Sequence, residues 1–543
     1  MKKSIKKYSI IIVLALSIGV SFSFRSDFFE VAKQIEIYNT LFKELNMYYV
    51  DEINPAEFTN KAIKNTLEDL DPYTNYYNEQ DVEEAKIKRE GEYAGIGVAV
   101  YYDKTGITLA EIYKGFSADK AGLKAGDIIT KVDGEPLQNM ERDQLSEFLK
   151  GTPKSTINVE VSREGKTFST TLTREKVSVN PVAFYDLIDE ETGYIVLTRF
   201  SNKASSEVKK AFKDLKKRGM KKLVFDLRGN PGGSLLEAIN ISNFFLPKGS
   251  TIVSTKAKVK KWSNTYRATN TPLDLDIPIT VLVDGSSASA SEIVSGALQD
   301  YDRAVVLGER SFGKGLVQRY RNLNYGTQLK VTISKYYTPS GRCIQELDYA
   351  NRDKDGNVPK FSDGGVNTFT TQNGRTVYDG GGVMPDVAIK ITKRVDETKK
   401  LLRSRAIFNF ATDYFRKNKE LAEVEKFRFS ESDFKSFQQY LLSDTTFVTK
   451  QEKLFKEAIN TVKDTKMVSQ EYRKIQQKLM NDKINKISTN KDILKELLKE
   501  EIISRYYYEE GVYQNKLEND TAIIEATQLL KDTNKYNNIL VKK

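Results

Sequence analysis

Between Gly193 and Leu307 the chain alternates short apolar runs with stretches of helical periodicity: Tyr194–Leu197, Ser205–Lys217, Leu223–Asp226, Ser234–Phe245, Ile279–Val283, Ser289–Leu298 and Ala304–Leu307. The apolar runs have strand length and the intervening stretches have helix length, so strand and helix take turns along the chain. Parallel strands need a long crossover and a helix supplies it, which restricts this region to an α/β layer fold.

At 543 residues the chain is too long for one such domain. From Phe28 to about Arg89 apolar residues recur at helical spacing, as in Ile37, Leu41 and Leu45, broken by Pro55 and the Leu70-Asp71-Pro72 turn. Gly91 opens a different texture, β-rich runs at 97–100, 107–110, 128–132 and 157–161 with one helical stretch at Arg142–Lys150, ending near Lys176. Residues 346–382, rich in Gly, Asp and Asn, read as a surface insertion, and from about Thr398 the chain is charged and helical. The expected division is an N-terminal apolar segment (1–25), a helical domain (26–90), a β-rich domain (91–176), an α/β core (177–395) and an all-α region (396–543).

Composition narrows the chemistry. There is no histidine, which removes Ser-His-Asp and Cys-His pairs, histidine zinc sites and imidazole proton shuttles. Any general base is Lys, Asp, Glu or Tyr. The lone Cys343 forms no internal disulfide and reads as a packing residue. Lys and Arg number 85 against 74 acidic residues, a net +11 with no basic stripe or motif outside the lysine-rich C-terminal region, whose charge runs read as solvated helix faces, so no nucleic-acid partner is expected. Lys2, Lys3, Lys6 and Lys7 precede an uncharged apolar run from Tyr8 to Phe24, the layout of an export signal. Ser21 and Ser23 fit a cleavage site, and the run is also nearly long enough to stay as a membrane tether. Both fates remain open.

Three segments carry candidate chemistry. In Asp284-Gly285-Ser286-Ser287-Ala288-Ser289-Ala290-Ser291-Glu292 an apolar strand ends, the chain turns and a helix begins. A serine there sits beside free helix N–H groups and the positive dipole end, which suits an oxyanion; serines also simply cap helices. Gly308-Glu309-Arg310-Ser311-Phe312-Gly313-Lys314-Gly315 is nearly a nucleotide-binding loop, but Gly315 stands where Ser or Thr must hold magnesium, and Leu316-Val317-Gln318 reads as strand where a helix should start. A lysine between two glycines in a tightly packed segment is instead a candidate desolvated amine, and burial lowers the pKa of a lysine toward that of a useful base. Without histidine, Lys314 is the available route to an activated serine. In Asp226-Leu227-Arg228-Gly229-Asn230-Pro231-Gly232-Gly233-Ser234 paired glycines allow backbone N–H groups to approach a ligand, or merely form a strand-to-helix turn.

Four motifs together resemble the carboxyl-terminal processing (tail-specific) peptidases: Ser-Ala-Ser-Ala-Ser-Glu-Ile at 287–293, Ser-Phe-Gly-Lys-Gly-Leu-Val-Gln at 311–318, Asp-Leu-Arg-Gly-Asn-Pro-Gly-Gly at 226–233 and Tyr-Thr-Pro-Ser-Gly-Arg at 337–342, in the family's order. The resemblance implies Ser289 as nucleophile, Lys314 as general base and Gln318 as the third member orienting the lysine. It also implies oxyanion donors at the backbone N–H of Ala290 and of Gly233, the latter favoured over Gly232. The core is then expected to have crotonase/ClpP-like layers.

The β-rich domain joins the same resemblance, because the family inserts a PDZ domain ahead of the catalytic core. Tyr93-Ala94-Gly95-Ile96-Gly97 resembles the PDZ carboxylate-binding loop, and Ala121-Gly122-Leu123-Lys124-Ala125-Gly126-Asp127 a typical later PDZ stretch. Backbone N–H groups of such a loop capture a C-terminal carboxylate while the peptide adds as a strand. The resemblance thus implies a serine endopeptidase acting on proteins with apolar C-termini, without metal or organic cofactor, located in the periplasm or on the outer face of the cytoplasmic membrane. The rival expectation is a catalytically silent adaptor that presents partners through its PDZ domain.

Overall fold

A computed structural model of the protein describes residues 28–90, 92–389, 395–460 and 469–541. The basic and apolar N-terminal segment lies outside the described residues. The chain divides into two compact units, one made of residues up to Tyr77 with Tyr320–Val331, the other of Asn78–Arg319 with Thr332–Lys543.

In the first unit, helix α1 (28–48) meets α2 (Pro55–Glu68) through Phe42 and Phe58, whose ring centres are 6.0 Å apart. Asn54 caps α2, accepting from the N–H groups of Ala56 and Glu57, and Pro55 takes the first turn, where its missing N–H costs nothing. The short strand β1 (Asn75–Tyr77) pairs antiparallel with Gln328–Lys330.

The second unit begins with helix α3 (Glu79–Glu90) and continues as a β-domain. Strands β2 (Val98–Asp103), β3 (Gly106–Ile112), β4 (Ile128–Val132), β5 (Thr156–Arg163) and β6 (Lys166–Thr173) form one antiparallel sheet in that order, with helix α4 (Arg142–Phe148) beside it. Ile107, Leu109, Ile129, Val159, Val161 and Leu172 alternate inward and meet Leu145 and Leu149, giving this domain its own core.

The α/β region forms a six-stranded sheet in the order β7 (Val182–Leu187), β8 (Thr192–Leu197), β9 (Lys222–Asp226), β10 (Ile279–Val283), β11 (Val305–Gly308), β12 (Val387–Ala388). All neighbours are parallel except β7 and β8. Helices α5 (Ala204–Lys217), α6 (Leu235–Asn243) and α7 (Ala290–Asp300) connect β8 to β9, β9 to β10 and β10 to β11. The strands are added in one direction, so right-handed crossovers put all three helices on the same face. That face holds Ile195, Leu197, Leu223, Phe225, Ile279, Val281 and Val306. Residues of the opposite parity, Tyr194, Val196, Val224, Leu282, Val305 and Leu307, pack instead against Ile523, Ala526, Leu530 and Tyr536 from the C-terminal helices. The Tyr536 hydroxyl brackets Ile279, donating to its carbonyl and accepting from its N–H, both at 3.0 Å.

Those helices include α8 (Ala406–Lys417), α9 (Lys491–Asn519) and α10 (Thr521–Lys531). The helical region has a core of its own, with Phe410, Phe437, Leu441, Leu494, Leu498 and Ile502, yet α10 also closes the sheet. Helix α9 is broken at Tyr508, whose φ of 58° and ψ of −164° are not helical.

The stretch 346–382 is more than the surface insertion expected of its composition. It carries a hairpin of Thr368–Thr370 with Thr376–Tyr378, and Arg375 reaches Asp302 and Asp386 at 2.5 Å each. Gly382 follows so closely on Ser311 that a Cβ there would lie 2.5 Å from the Ser311 carbonyl oxygen.

Candidate active site

Strand β10 delivers Ser289 to the start of α7, where its φ of 56° and ψ of −109° put a serine in a region that favours glycine. Its neighbours Ser287 and Ser291 are fully buried, and their hydroxyls donate to the carbonyls of Leu227 (2.8 Å) and Asn230 (2.9 Å). The half-buried Ser289 gives its hydroxyl hydrogen to no acceptor among the described residues. The two flanking serines are therefore structural and hold the corner against the turn after β9.

One carboxylate organises the site. Glu292, fully buried, accepts the N–H of Ser289 at 2.7 Å and of Lys314 at 2.9 Å on Oε2. On Oε1 it accepts the Ser311 hydroxyl at 2.6 Å and the Gly313 N–H at 2.7 Å. The main chains of Ser289 and Lys314, 25 positions apart in the sequence, thus lie within two hydrogen-bond lengths of each other. Burial pushes the Glu292 carboxyl up to about 6, and the four donors oppose that rise. Tyr336 adds a second staple: its hydroxyl donates to the Ser289 carbonyl at 3.1 Å and its N–H to the Gly315 carbonyl at 2.9 Å.

Lys314 is half-buried on the loop before the strand Leu316–Asn322. Gln318 lies four residues on, and its amide donates to the Thr332 hydroxyl at 3.2 Å; no bond joins it to Lys314.

The glycine turn presses on the Ser289 corner. A Cβ on Gly232 would fall 2.6 Å from the Ala288 carbonyl oxygen and 2.9 Å from both the Ala290 nitrogen and the Ser289 Cβ, so only glycine fits there. Asn230, fully buried, ties the turn together. Its side chain donates to the Leu197 carbonyl and accepts the Gly232 N–H, while its own carbonyl accepts from the Ala288 N–H. The Gly232 N–H is therefore used. Gly233 pairs as a parallel bridge with Phe200 through its neighbours, Phe200 donating to the Gly232 carbonyl and Ser234 to that of Phe200. Among the described residues nothing accepts the N–H of Gly233 or of Ala290.

In the β-domain, Tyr93, Ala94 and Gly95 belong to the strand Glu92–Gly95, paired with Glu175–Ser178, and not to a loop as their motif suggested. Only Ile96 and Gly97 form the turn, Gly97 with φ of 80°, and their N–H groups meet no acceptor among the described residues. A groove of about 300 Å³ runs between β2 and α4, lined by Tyr93, Ile96, Val98, Val100, Tyr102 and Leu149 among others. Ala94, Gly95 and Gly97 do not line it.

Glu292, Asn230 and Tyr336 were not singled out from sequence. Glu292 had a signal, because Ser289 and Glu292 have the spacing of a capping box. Asn230 sits inside the glycine motif, and Tyr336 acts over a distance that no local pattern marks.

Family models match three parts of the chain: "PDZ domain" over residues 84–162, "Peptidase family S41" over 191–350 and "Probable PDZ-protease, C-terminal helical domain" over 397–530. The chain is similar to a "Probable CtpA-like serine protease" of Staphylococcus aureus strain MRSA252, 34% identical over 307 residues, 56% of this chain and 61% of that protein. It thus spans about three fifths of the length of that curated relative. A "Carboxy-terminal-processing protease" of Bartonella bacilliformis is 34% identical over 321 residues, 58% of this chain and 73% of the relative. Among solved structures, the photosystem II D1 C-terminal processing protease matches with TM-score 0.34 and 28% identity, covering 56% of this chain and 88% of that one. By sequence, domain content and motif order the chain belongs to the carboxy-terminal-processing proteases of peptidase family S41, a family of serine-type peptidases with a PDZ domain.

Proposed function

We propose that the protein is an exported serine endopeptidase that captures protein C-termini on its PDZ domain and cleaves peptide bonds with Ser289 and Lys314. The observation that carries this reading is the single buried carboxylate of Glu292 holding the main chains of a backbone-strained serine and a glycine-flanked lysine together. In the neutral form Lys314 takes the Ser289 hydroxyl proton as its oxygen attacks the peptide carbonyl carbon, and the ammonium returns that proton to the leaving amine. A water deprotonated by the same amine then hydrolyses the acyl-enzyme. The unpartnered N–H groups of Gly233 and Ala290 are the donors for the tetrahedral oxyanion. With its Nε2 on Thr332, Gln318 keeps its Oε1 for the lysine.

A substrate C-terminus lies along β2, its carboxylate on the N–H groups of Ile96 and Gly97 and its last apolar side chain in the groove between β2 and α4. We retain the division at residues 25, 90, 176 and 395, and read the layering of the core as crotonase/ClpP-like. The basic and apolar N-terminus supports export to the periplasm or a tether outside the cytoplasmic membrane; cell fractionation tests this.

The decisive experiment compares cleavage of an unfolded protein by wild type, Ser289→Ala and Lys314→Ala. Both variants are expected to fall to background. Undiminished cleavage by either one overturns the assignment, and an inactive wild type favours an adaptor.

A further inference from the structure

The turn that carries Gly233 contains three glycines with positive φ, Gly229 at 69°, Gly232 at 94° and Gly233 at 149°. Such a turn has little stiffness of its own, and its shape is set by what holds it. The peptidase region itself holds it at several points: the Asp284 carboxylate on the Gly229 N–H at 3.0 Å, Asn230 with its bonds to Leu197 and the Ser289 corner, the Ser287 and Ser291 hydroxyls on the Leu227 and Asn230 carbonyls, and the Phe200 bridge beside Gly233. One further anchor comes from outside that region. Arg228 gives Nε and Nη2 to Asp226, at 3.0 and 2.6 Å, and gives Nη1 to both carboxylate oxygens of Asp520, each at 2.9 Å. Asp520 lies 292 positions away, at the joint between α9 and α10.

Asp520 is itself held. Its Oδ1 accepts the N–H groups of Ala522 and Ile523 at 2.9 and 3.1 Å, so the carboxylate is fixed as the cap of α10, and α10 is packed on the sheet behind β9 and β10. Asp226 is likewise fixed by the Tyr194 hydroxyl at 2.7 Å. Arg228 is thus clamped between two rigid carboxylates, one at the end of β9 just before it and one on the C-terminal helices, and the glycine turn starts from it.

We infer that Asp520 is a positioning residue for catalysis: through Arg228 it sets the turn that aims the Gly233 N–H at the oxyanion, which makes the C-terminal helical region a working part of the active site. The inference rests on the proposed Ser289 and Lys314 mechanism. It requires the contribution of Asp520 to appear in the transition state and not in substrate binding.

The test uses the full chain with Asp520→Asn. Asparagine caps a helix as well as aspartate does, so α10 keeps its cap while Arg228 loses its charged partner. Expected are a fall in kcat of about tenfold with KM unchanged, and an equal loss of affinity for a peptide aldehyde, whose adduct with Ser289 carries the same oxyanion. Asp520→Glu should recover part of both. Arg228→Gln should be impaired as much, and combining it with Asp520→Asn should add nothing further. Wild-type kcat and aldehyde affinity in Asp520→Asn overturn the inference, as do losses that multiply in the double variant or a change confined to KM. If Ser289→Ala still cleaves, the mechanism falls; if Ser289→Ala is inactive and Asp520→Asn is unimpaired, only this inference falls.

Discussion

Glu292 accepts two donors on each oxygen, an arrangement that no neutral side chain of the same shape reproduces. In Glu292→Gln the amide nitrogen must face at least one main-chain N–H in either orientation. Cleavage should drop by about a hundredfold or more, since bonds to a charged group contribute about 1.5–3 kcal/mol each, and kcat measured on an unfolded protein checks this. The carboxyl also gives opposite pH signatures for stability and activity. Its value in the folded chain, about 6, lies above its ordinary value of 4.5. The folded state therefore holds the proton more tightly, and this contribution, about 2 kcal/mol, is full below 4.5 and lost as pH rises through 6. Urea unfolding of Ser289→Ala from pH 4.5 to 7.5 should show that slope, and Glu292→Gln should lack it. Activity moves the other way, because the added proton occupies an oxygen that two donors need, so kcat should fall below about pH 6. Ser289 was legible in its motif, but why it differs from Ser287 and Ser291 was not: their long-range bonds to Leu227 and Asn230 leave no local mark.

Strand β2 shows what alternation does when both faces are used. Val98 and Tyr102 line the groove beside α4, Ala99 and Tyr101 line a cavity of about 460 Å³ shared with α8 and α9, and Val100 borders both. Across that cavity Tyr508, at the break in α9, donates to Asp119 at 2.7 Å, and Tyr101 meets Phe408 edge-on at 5.4 Å between ring centres. Tyr508→Phe should weaken the seating of the β-domain on α9 by about 1 kcal/mol, seen as faster limited proteolysis between the two. Glu111 faces the same cavity and is pushed up to about 7 by desolvation, then by Glu509 and Glu501, with Arg505 opposing. Its contribution is full below its ordinary 4.5 and lost as pH rises through 7. Solvent reaches this side chain, so the effect is modest. Glu111→Gln should raise the melting temperature at pH 8 and leave it unchanged near pH 4.5. The β-rich runs at 97–100, 107–110, 128–132 and 157–161 point to β2 to β5, but none of them marks β6. The break at Tyr508 was not legible, because a tyrosine gives no sign of a non-helical backbone.

For the whole second unit, the repeat of strand and helix from Gly193 to Leu307 announced a parallel sheet, and the apolar character of residues of both parities in β9 and β10 required two covered faces. The three crossover helices fall on one face. What covers the other was not legible, since α10 looks like any amphipathic helix of a charged region and its destination depends on the sheet's topology. A chain ending before Asp396 leaves Val224, Leu282, Val305 and Leu307 bare as one contiguous apolar patch. It should yield aggregated protein without peptidase activity, judged by soluble expression and circular dichroism, and co-expression of residues 396–543 should restore soluble protein.

The bracket of Tyr536 around Ile279 spans 257 positions of chain. A polypeptide delivered N-terminus first therefore carries Ser289, Lys314 and the glycine turn long before the helix that backs their sheet arrives. Throughout that interval one face of the sheet lacks its cover, so on the proposed mechanism cleavage should begin only once the C-terminal helices have packed.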